Sequence, residues 1–368
     1  MSESSSQFSL PFVKQFFAKI FGRTLRKTHF ENLCLSIYGL VGSRSGLLSE
    51  IVRWFPAGYA AGVTHKHRLK RLGRFFSNLR FKPEKIMTPW VEWCANRFAC
   101  NGRLLVAVDW TALPGNYQCL MAAVPFYGRA IPLYWRIVSN HTFEKSQNRL
   151  EEQFLRTLTK IVPKDVMPVI IADRGFGRAS LFQFLIDLKV LFVVRIKSDV
   201  WITLCSGVRR KLSKMRVKPN RGRWYPNITY REDSIVGGLN LAATAVENNP
   251  DHWFLVTNLN EQKETILNYA KRFEIEEFFK DTKHQLGIAD TQTKDSRRIH
   301  RLLCMACLSY GMLAIIGKTI ERHMEIANIL IRTGKEKVAS YIWFALNAIR
   351  HNLIDRPVWQ EMLAELGP

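Results

Sequence analysis

The 368-residue chain lacks a disulfide framework. Its seven cysteines are an odd number at irregular spacings, and only Cys304 and Cys307 form a Cys-x-x-Cys pair, so no second pair completes a zinc site. This pair lies in an apolar helical pattern, where small buried cysteines are common. We therefore expect core packing for the pair and a reducing, cytoplasmic compartment for the protein.

Long apolar segments and targeting signals are also missing. The apolar run Leu302–Ile316 is interrupted by Ser309 and Gly311 and is too short to cross a bilayer. Residues 1–10 lack the basic and then apolar order of a secretory signal. We expect neither secretion nor a membrane partner.

Acidic residues are few compared with basic ones. The chain has 31 Asp and Glu against 54 Lys and Arg, a net charge of +23 and a pI near 9.9. A field of this sign favours nucleic acid as the partner, and a basic membrane-surface protein is the alternative. With 47% hydrophobic residues, the chain can bury the core of two or three domains.

Residues 1–100 have helical apolar spacing and hold 16 basic residues against five acidic ones. The segment Lys66–Lys85 contains eight basic residues with apolar residues between them, which predicts an amphipathic basic helix. Such a helix is either the solvated face of a bundle or a DNA-contacting element in which cations neutralise phosphates. The candidate DNA contacts here are Arg68, Arg71 and Arg74.

From about residue 104 the pattern becomes α/β. Apolar runs predict strands, and amphipathic segments between them predict helices, in an order that indicates a mixed sheet covered by helices. The predicted elements are strands Leu104–Val108, Leu120–Val124 and Ala130–Val138 with a turn at Tyr127-Gly128, helix Phe143–Ile161, strand Val169–Ala172, helix Ala179–Leu188 and strand Leu191–Ile196.

A basic, β-rich segment follows at residues 198–252. Its run Arg209–Arg231 holds nine Lys or Arg and no acid. Phe254–Thr257 predicts a return to the sheet, and residues 299–366 are helical in pattern.

Three carboxylates occupy informative places. Asp109 and Asp173 each end a continuous apolar strand, and Glu276 lies in a helical segment. Carboxylates from separate elements can converge on Mg²⁺ or Mn²⁺, which prefer oxygen ligands. Each has an ordinary alternative: a strand-end Asp caps a helix or forms a turn, as Asp173 could with Gly175, and Glu276 could pair with Lys280 on the surface.

Glu276 belongs to a spaced set of four residues. Tyr269, Arg272, Glu276 and Lys283 are separated by two, three and six residues. On one continuous helix, at roughly 100° per residue, the four fall within about 60° of one another. One helix face would then hold an acid able to bind a metal and three groups that suit a phosphate.

These motifs together resemble the DDE transposases of bacterial insertion sequences. The resemblance rests on Asp109-Trp110-Thr111, on Asp173-x-Gly175-Phe176 and on the four-residue spacing, which resembles the signature of the insertion-sequence-four family. It implies an RNase H-like α/β core, a mixed sheet flanked by helices, with a β-rich insertion and a helical N-terminal DNA-binding region. The implied regions are 1–100 (DNA-end binding), 101–197 (first part of the core), 198–252 (insertion), 253–298 (second part of the core) and 299–368 (C-terminal helices).

The resemblance also implies residue roles. Asp109, Asp173 and Glu276 would be catalytic and bind Mg²⁺, with Mn²⁺ as a substitute. Tyr269, Arg272 and Lys283 would contact DNA phosphates near the cleaved end. In some relatives a tryptophan of the insertion holds a flipped base, for which Trp201 and Trp224 are the candidates and Trp224 has the more basic context.

The implied activity is cut-and-paste transposition in the bacterial cytoplasm, at the nucleoid. Water would attack the phosphodiester at the element's end, and the released 3′-OH would attack target DNA. The partners would be double-stranded DNA, as inverted-repeat ends and target, and a second copy in a synaptic dimer. An RNase H-like nuclease or resolvase without joining, and an inactive DNA-binding relative, remain alternatives.

The basic segments lead to a prediction about ionic strength. Binding to an element end should weaken steeply with salt, with a log–log slope of about −0.9 per phosphate neutralised. Fluorescence anisotropy of a labelled end duplex, titrated at several salt concentrations, measures this slope. An affinity that does not change with salt would contradict a role for Lys66–Lys85 and Arg209–Arg231.

Overall fold

In a computed structural model, the structure describes residues 8–22, 24–56, 62–217, 221–230, 236–245, 252–330 and 340–366. The chain forms two compact units. Unit 1 consists of Met1–Trp93, Ala112–Tyr117 and Glu277–Pro368, and unit 2 of Cys94–Thr111 and Gln118–Glu276.

The described residues form helices in both units and strands around the middle of the chain. The helices are α1 (Leu10–Phe21), α2 (Lys27–Ser43), α3 (Leu48–Arg53), α4 (His65–Ser77), α5 (Glu84–Phe98), α6 (Asn140–Ile161), α7 (Ala179–Asp187), α8 (Gln262–Ala270), α9 (Glu274–His284), α10 (Ser296–Arg322), α11 (Met324–Leu330), α12 (Tyr341–Arg350) and α13 (Arg356–Glu365). The strands are β1 (Arg103–Leu113), β2 (Tyr117–Phe126), β3 (Arg129–Ser139), β4 (Met167–Ala172), β5 (Leu191–Arg195), β6 (Trp201–Thr203), β7 (Arg209–Lys211), β8 (Arg223–Tyr230), β9 (Val236–Thr244) and β10 (Trp253–Thr257).

Unit 1 is built around α10, a helix of 27 residues. By length and composition α10 could cross a membrane, but 94% of its apolar window is buried inside the structure. The apolar surface of α10 is therefore covered by other parts of the structure. Cys304 and Cys307 of this helix are fully buried, which confirms the predicted core packing. Helices α10 and α12 lie very close together at Gly317, where an added Cβ would lie 2.0 Å from the backbone oxygen of Tyr341 at the start of α12.

The predicted basic helix at Lys66–Lys85 is shorter than expected. Helix α4 ends at Ser77 because Asn78 takes an extended conformation, and its side-chain oxygen accepts a hydrogen bond from the backbone N–H of Arg80 at 2.9 Å. The apolar residues Leu72, Phe75 and Phe76 of α4 are buried. The prediction of one helix was wrong at residues 78–83, because a local side-chain turn competes with the helix, and Glu84 and Lys85 belong to the next helix, α5.

Unit 2 contains a ten-stranded mixed sheet flanked by helices. Its strand order is β3-β2-β1-β4-β5-β10-β9-β8-β6-β7, with β1, β4 and β5 parallel and the strands from β10 to β7 antiparallel to their neighbours. The predicted order from Leu104 to Ile196 of three strands, a helix, a strand, a helix and a strand is confirmed. The predicted turn between β2 and β3 is confirmed too, with positive φ at Tyr127 and Gly128.

The register of β1 and β4 determines which residues meet at the end of β4. Val108 pairs with Ala172, the last residue of β4, so Asp109 and Asp173 follow paired positions on adjacent parallel strands. The sequence predicted that this strand ends at Asp109, which was wrong, because β1 continues to Leu113. Its neighbour on the other side is β2.

The β-rich character predicted for residues 198–252 is confirmed for the described residues, which form β6 to β9. Parts of this segment, including residues 218–220 and Arg231 of the basic run, lie outside the described residues, as does the Ser-rich start at residues 1–7. Helices α10 to α13 confirm the helical prediction for residues 299–366 where the chain is described.

The close approach at Gly317 gives a stability prediction. Gly317→Ala should lower the free energy of unfolding by about 1–3 kcal/mol, because the new methyl group overlaps the Tyr341 carbonyl and α12 must shift. Gly73→Ala, in α4 with no atom within 4 Å of the added Cβ, is the matched control and should instead raise stability by about 0.5–1 kcal/mol. Urea unfolding of both variants measures the difference; equal stabilities would refute the close packing.

Candidate active site

The centre of the candidate site is the pair Asp109 and Asp173. Adjacent strands lie about 4.8 Å apart, so the β1–β4 register brings the two carboxyl groups close together. Burial first, and then the negative charge of Asp173, raise the pKa of Asp109 to about 7, although Arg272 opposes the shift. The first aspartate is therefore held where its negative charge is costly.

Local backbone donors hold one oxygen of each aspartate. Oδ1 of Asp109 accepts a hydrogen bond from the backbone N–H of Trp110 at 2.8 Å, and Oδ1 of Asp173 accepts one from Gly175 at 2.8 Å. The turn at Gly175 is the alternative that the sequence left open for Asp173. It fixes the carboxylate's orientation, so the turn and a ligand role are compatible.

The helix that was expected to hold Tyr269, Arg272, Glu276 and Lys283 is not continuous. Helix α8 ends at Ala270, a 3-10 turn covers Lys271–Phe273, and α9 begins at Glu274. The carboxylate of Glu274 accepts hydrogen bonds from the backbone N–H groups of Phe126 and Gly128, which fixes the start of α9 against the β2–β3 turn. Prediction of one regular helix was wrong because this tertiary contact overrides the local pattern.

Arg272 joins two of the three predicted catalytic acids. Its guanidinium, with a side chain only 6% exposed, lies 3.3 Å from Oδ2 of Asp109 and donates a short hydrogen bond to Oε1 of Glu276. Glu276 thus pairs with Arg272, four residues earlier, and not with Lys280 as the alternative interpretation had it. The three predicted residues Asp109, Arg272 and Glu276 form one charge cluster within unit 2.

Two other predicted phosphate contacts have different surroundings. Tyr269 is fully buried, its ring packs edge-on against Trp253 at 4.9 Å between centroids, and burial raises the pKa of its hydroxyl. Lys283 is half-buried, lies two turns after Glu276 on α9 and belongs to unit 1. Only Glu276, with half of its side chain exposed, opens directly to solvent in the unit 2 cluster.

The acids suit a hard cation in chemistry, although they do not form a closed cage. Among the described residues, no three or more His, Cys, Asp or Glu side chains are already arranged as a metal site. Asp109 and Asp173 follow paired positions on adjacent strands, and Asp173 raises the pKa of Asp109. Arg272 contacts both Asp109 and Glu276. The donor set is all oxygen, which fits Mg²⁺ or Mn²⁺.

The two candidate tryptophans of the β-rich segment differ in exposure. Trp224 on β8 is half-buried, and Trp201 on β6 is 43% exposed. The guanidinium of Arg209, on neighbouring β7, lies 4.6 Å from the centre of the Trp201 ring. As a residue that could stack on an unpaired base, Trp201 is favoured by its exposure and by its contact with Arg209. The basic sequence context had favoured Trp224 for this role.

In unit 1, α4 forms one wall of a basic cavity of about 570 Å³. Arg71 and Arg74 line it, as does Lys70, and Nε of Arg71 is held by the side-chain oxygen of Asn32 at 2.9 Å. Arg68 is half-buried and is not among the lining residues. The sequence pattern did not predict the residues that α2 contributes, because α2 and α4 are far apart along the chain. The residues that line the cavity are Thr28, His29, Asn32, His67, Lys70, Arg71, Arg74, Phe75 and Asn78.

The raised pKa of Asp109 predicts a pH-dependent stability effect. Because its folded-state pKa of about 7 lies above the usual 3.8, the folded state binds the extra proton between these values, so stability falls as pH rises from 4 to 7. Asp109→Asn should therefore stabilise the metal-free protein at pH 8 by on the order of 2 kcal/mol, and much less at pH 4.

Urea unfolding in a chelating buffer at pH 4, 6 and 8 tests this expectation. Asp187→Asn, at an exposed acid of α7 in the same unit, is the control and should follow the wild type at every pH. An Asp109→Asn effect of the same size at all three pH values would show that the acid's charge is not costly.

The comparison with known families adds a separate observation. Residues 138–312 match the family model described as a transposase DDE domain. This span contains Asp173, Arg272 and Glu276 and begins after Asp109. No curated protein matches the chain. The family-model match supports a transposase of the DDE kind.

Proposed function

We propose that this protein is a cut-and-paste DNA transposase of the insertion-sequence-four family. It would cut at the ends of its element and join the released 3′-OH ends to target DNA, acting at the nucleoid in the cytoplasm. The observation on which this depends is that Arg272 contacts both Asp109 and Glu276 while Asp173 follows the strand paired with that of Asp109. Two of the three acids lie inside the matched transposase span.

The sheet supports an RNase H-like core for this enzyme. Five neighbouring strands run in the order β3-β2-β1-β4-β5, with β1, β4 and β5 parallel. The two aspartates come from the central strands β1 and β4, and Glu276 comes from a helix later in the chain. This distribution is the one that the family resemblance implies.

Asp109, Asp173 and Glu276 would hold Mg²⁺, or Mn²⁺ in its place. When bound, such ions stabilise the charge on the attacking and leaving oxygens of an in-line phosphoryl transfer. The protein's own part is to bring the acids together: the β1–β4 register positions two of them, and backbone N–H groups hold one oxygen of each aspartate.

Arg272 has two tasks in this proposal. Without DNA it balances the charge of Asp109 and Glu276. Its planar guanidinium also suits a phosphate, which accepts paired hydrogen bonds. Phosphate binding then requires Arg272 to exchange at least one carboxylate partner, which the half-exposed Glu276 permits. Tyr269 is fully buried, so its part is to position Arg272, three residues later, and not to touch the phosphate itself. Lys283, in unit 1, remains a predicted phosphate contact.

The DNA-end contacts would include the basic cavity of unit 1. Lys70, Arg71 and Arg74 line it, and no acidic residue does. A phosphate oxygen can replace the water around these cations and release counterions. Trp201, exposed on the basic β6–β7 hairpin, is the better placed residue for stacking on an unpaired base.

Cleavage of a labelled element-end duplex tests the proposal. With Mg²⁺, Asp109→Asn, Asp173→Asn and Glu276→Gln should each reduce strand cleavage by at least about 100-fold, since each removes a negatively charged ligand. Glu264→Gln, which removes an acid of α8 paired with Arg103 on the surface, should leave cleavage unchanged.

Products resolved under denaturing conditions separate the alternatives. Joining of the 3′-OH to target DNA is expected, and a hairpin would report the route of second-strand cleavage. Cleavage without any joining would favour a nuclease or resolvase. Binding of end DNA without cleavage, or cleavage that survives all three substitutions, would refute the catalytic assignment.

A further inference from the structure

Glu151 on α6 is a fully buried carboxylate outside the proposed ligand set. Its Oε1 accepts hydrogen bonds from the indole N–H of Trp110 and from the side-chain amide of Gln147, both at 2.9 Å. Its Oε2 accepts a short hydrogen bond from the guanidinium of Arg178. Burial of a charge at this depth is costly unless it is paired and hydrogen-bonded, as it is here.

The partners of Glu151 belong to the two segments that hold the aspartates. Trp110 directly follows Asp109 on β1, and its backbone N–H binds the Asp109 carboxylate. Arg178 follows Asp173 by five residues, just after the 3-10 turn Arg174–Phe176 that begins at Asp173. One carboxylate therefore connects the end of the β1 apolar run to the segment after β4.

Other contacts of α6 strengthen both connections. The ring of Phe143 packs edge-on against the Trp110 ring, with 4.8 Å between centroids. Arg178 also donates to the backbone oxygen of Asn148 at 3.3 Å. Its guanidinium lies 3.8 Å from the partly exposed carboxylate of Glu152, which is too far for a hydrogen bond, so Glu152 does not hold it in place. Helix α6 thus holds Trp110 and Arg178 at once, and Glu151 is the residue that bonds to both.

The sheet register alone does not set the separation of the two carboxyl groups. It fixes the backbones through Val108 and Ala172, but Asp109 and Asp173 lie beyond the last paired residues. Backbone N–H groups of Trp110 and Gly175 orient the carboxylates, so movement of either segment moves the oxygen atoms. A tie between these segments restricts that movement.

We infer that Glu151 is a positioning residue that sets the separation of Asp109 and Asp173 for binding a divalent cation. This role rests on the proposed function, because it acts through the acids assigned to the metal. Glu151 itself touches neither the acids nor the substrate. A partner that orients a metal ligand typically changes metal affinity by about 10- to 100-fold when it is replaced.

Binding of Mn²⁺ alone, followed by electron paramagnetic resonance, tests the inference without measuring activity. Glu151→Gln keeps the shape but cannot accept from Trp110 and Arg178 together, so Mn²⁺ affinity should fall by about 10-fold. Glu152→Gln is the matched control, because it removes the neighbouring acid on the same arginine and leaves Glu151 in place; its affinity should equal that of the wild type.

A melting curve shows whether each variant is folded. If Glu151→Gln does not fold, Trp110→Phe replaces it, since it removes the indole N–H and keeps a ring against Phe143; a smaller loss of Mn²⁺ affinity, of a few-fold, is then expected. Wild-type affinity in a folded Glu151→Gln protein, or in Trp110→Phe when that variant is used, overturns the positioning role.

Wild-type protein and Asp173→Asn separate this inference from the proposed function. If the wild type binds Mn²⁺ no better than Asp173→Asn, the acids do not hold a metal, and the proposed function fails together with the role of Glu151. If Asp173→Asn abolishes binding while Glu151→Gln retains it in full, only the positioning role fails.

Discussion

The candidate site depends on one constraint, the parallel register of β1 and β4. With Val108 opposite Ala172, the residues that follow are Asp109 and Asp173, and two carboxylates come together at a point where one is mostly buried. A shift by one residue would turn one of them to the other face of the sheet. The hydrogen-bonded sheet therefore holds like charges together that would separate if they were free to do so.

Two arginines, on different elements, compensate for this accumulation of negative charge. Arg272 comes from the turn before α9 and contacts Asp109 and Glu276, and Arg178 comes from the segment after β4 and contacts the buried Glu151. Both guanidiniums are largely buried, so their planar geometry fixes the acids more firmly than an exposed lysine would. For the second pair, the loss of Arg178 would leave Glu151 as a buried charge without its ion-pair partner, which is strongly destabilising.

The sequence predicted the strands of unit 2 well because buried strands are continuous apolar runs, as at Leu104–Val108. It also proposed Asp109, Asp173 and Glu276 as the catalytic acids, because their motifs resemble a known family, and that role stays a prediction. The predictions failed where residues distant in sequence determine the local structure. Glu274 binds the β2–β3 turn, and the expected helix is divided there. Likewise, no sequence pattern near Glu151 predicts its contact with Trp110, 41 residues away. The sequence predicted the basic residues of α4 but not the cavity that they line, because the residues of α2 on its other wall form no recognisable pattern.

The position of Arg272 has a consequence for how the acids are tolerated during folding. A site made only of acids would oppose folding, because its negative charges would repel one another. Here Arg272 brings one positive charge into contact with two of the acids, so it offsets part of their repulsion. The chain therefore carries its own counter-ion for these acids, and the cost of bringing them together is already reduced before any other molecule binds.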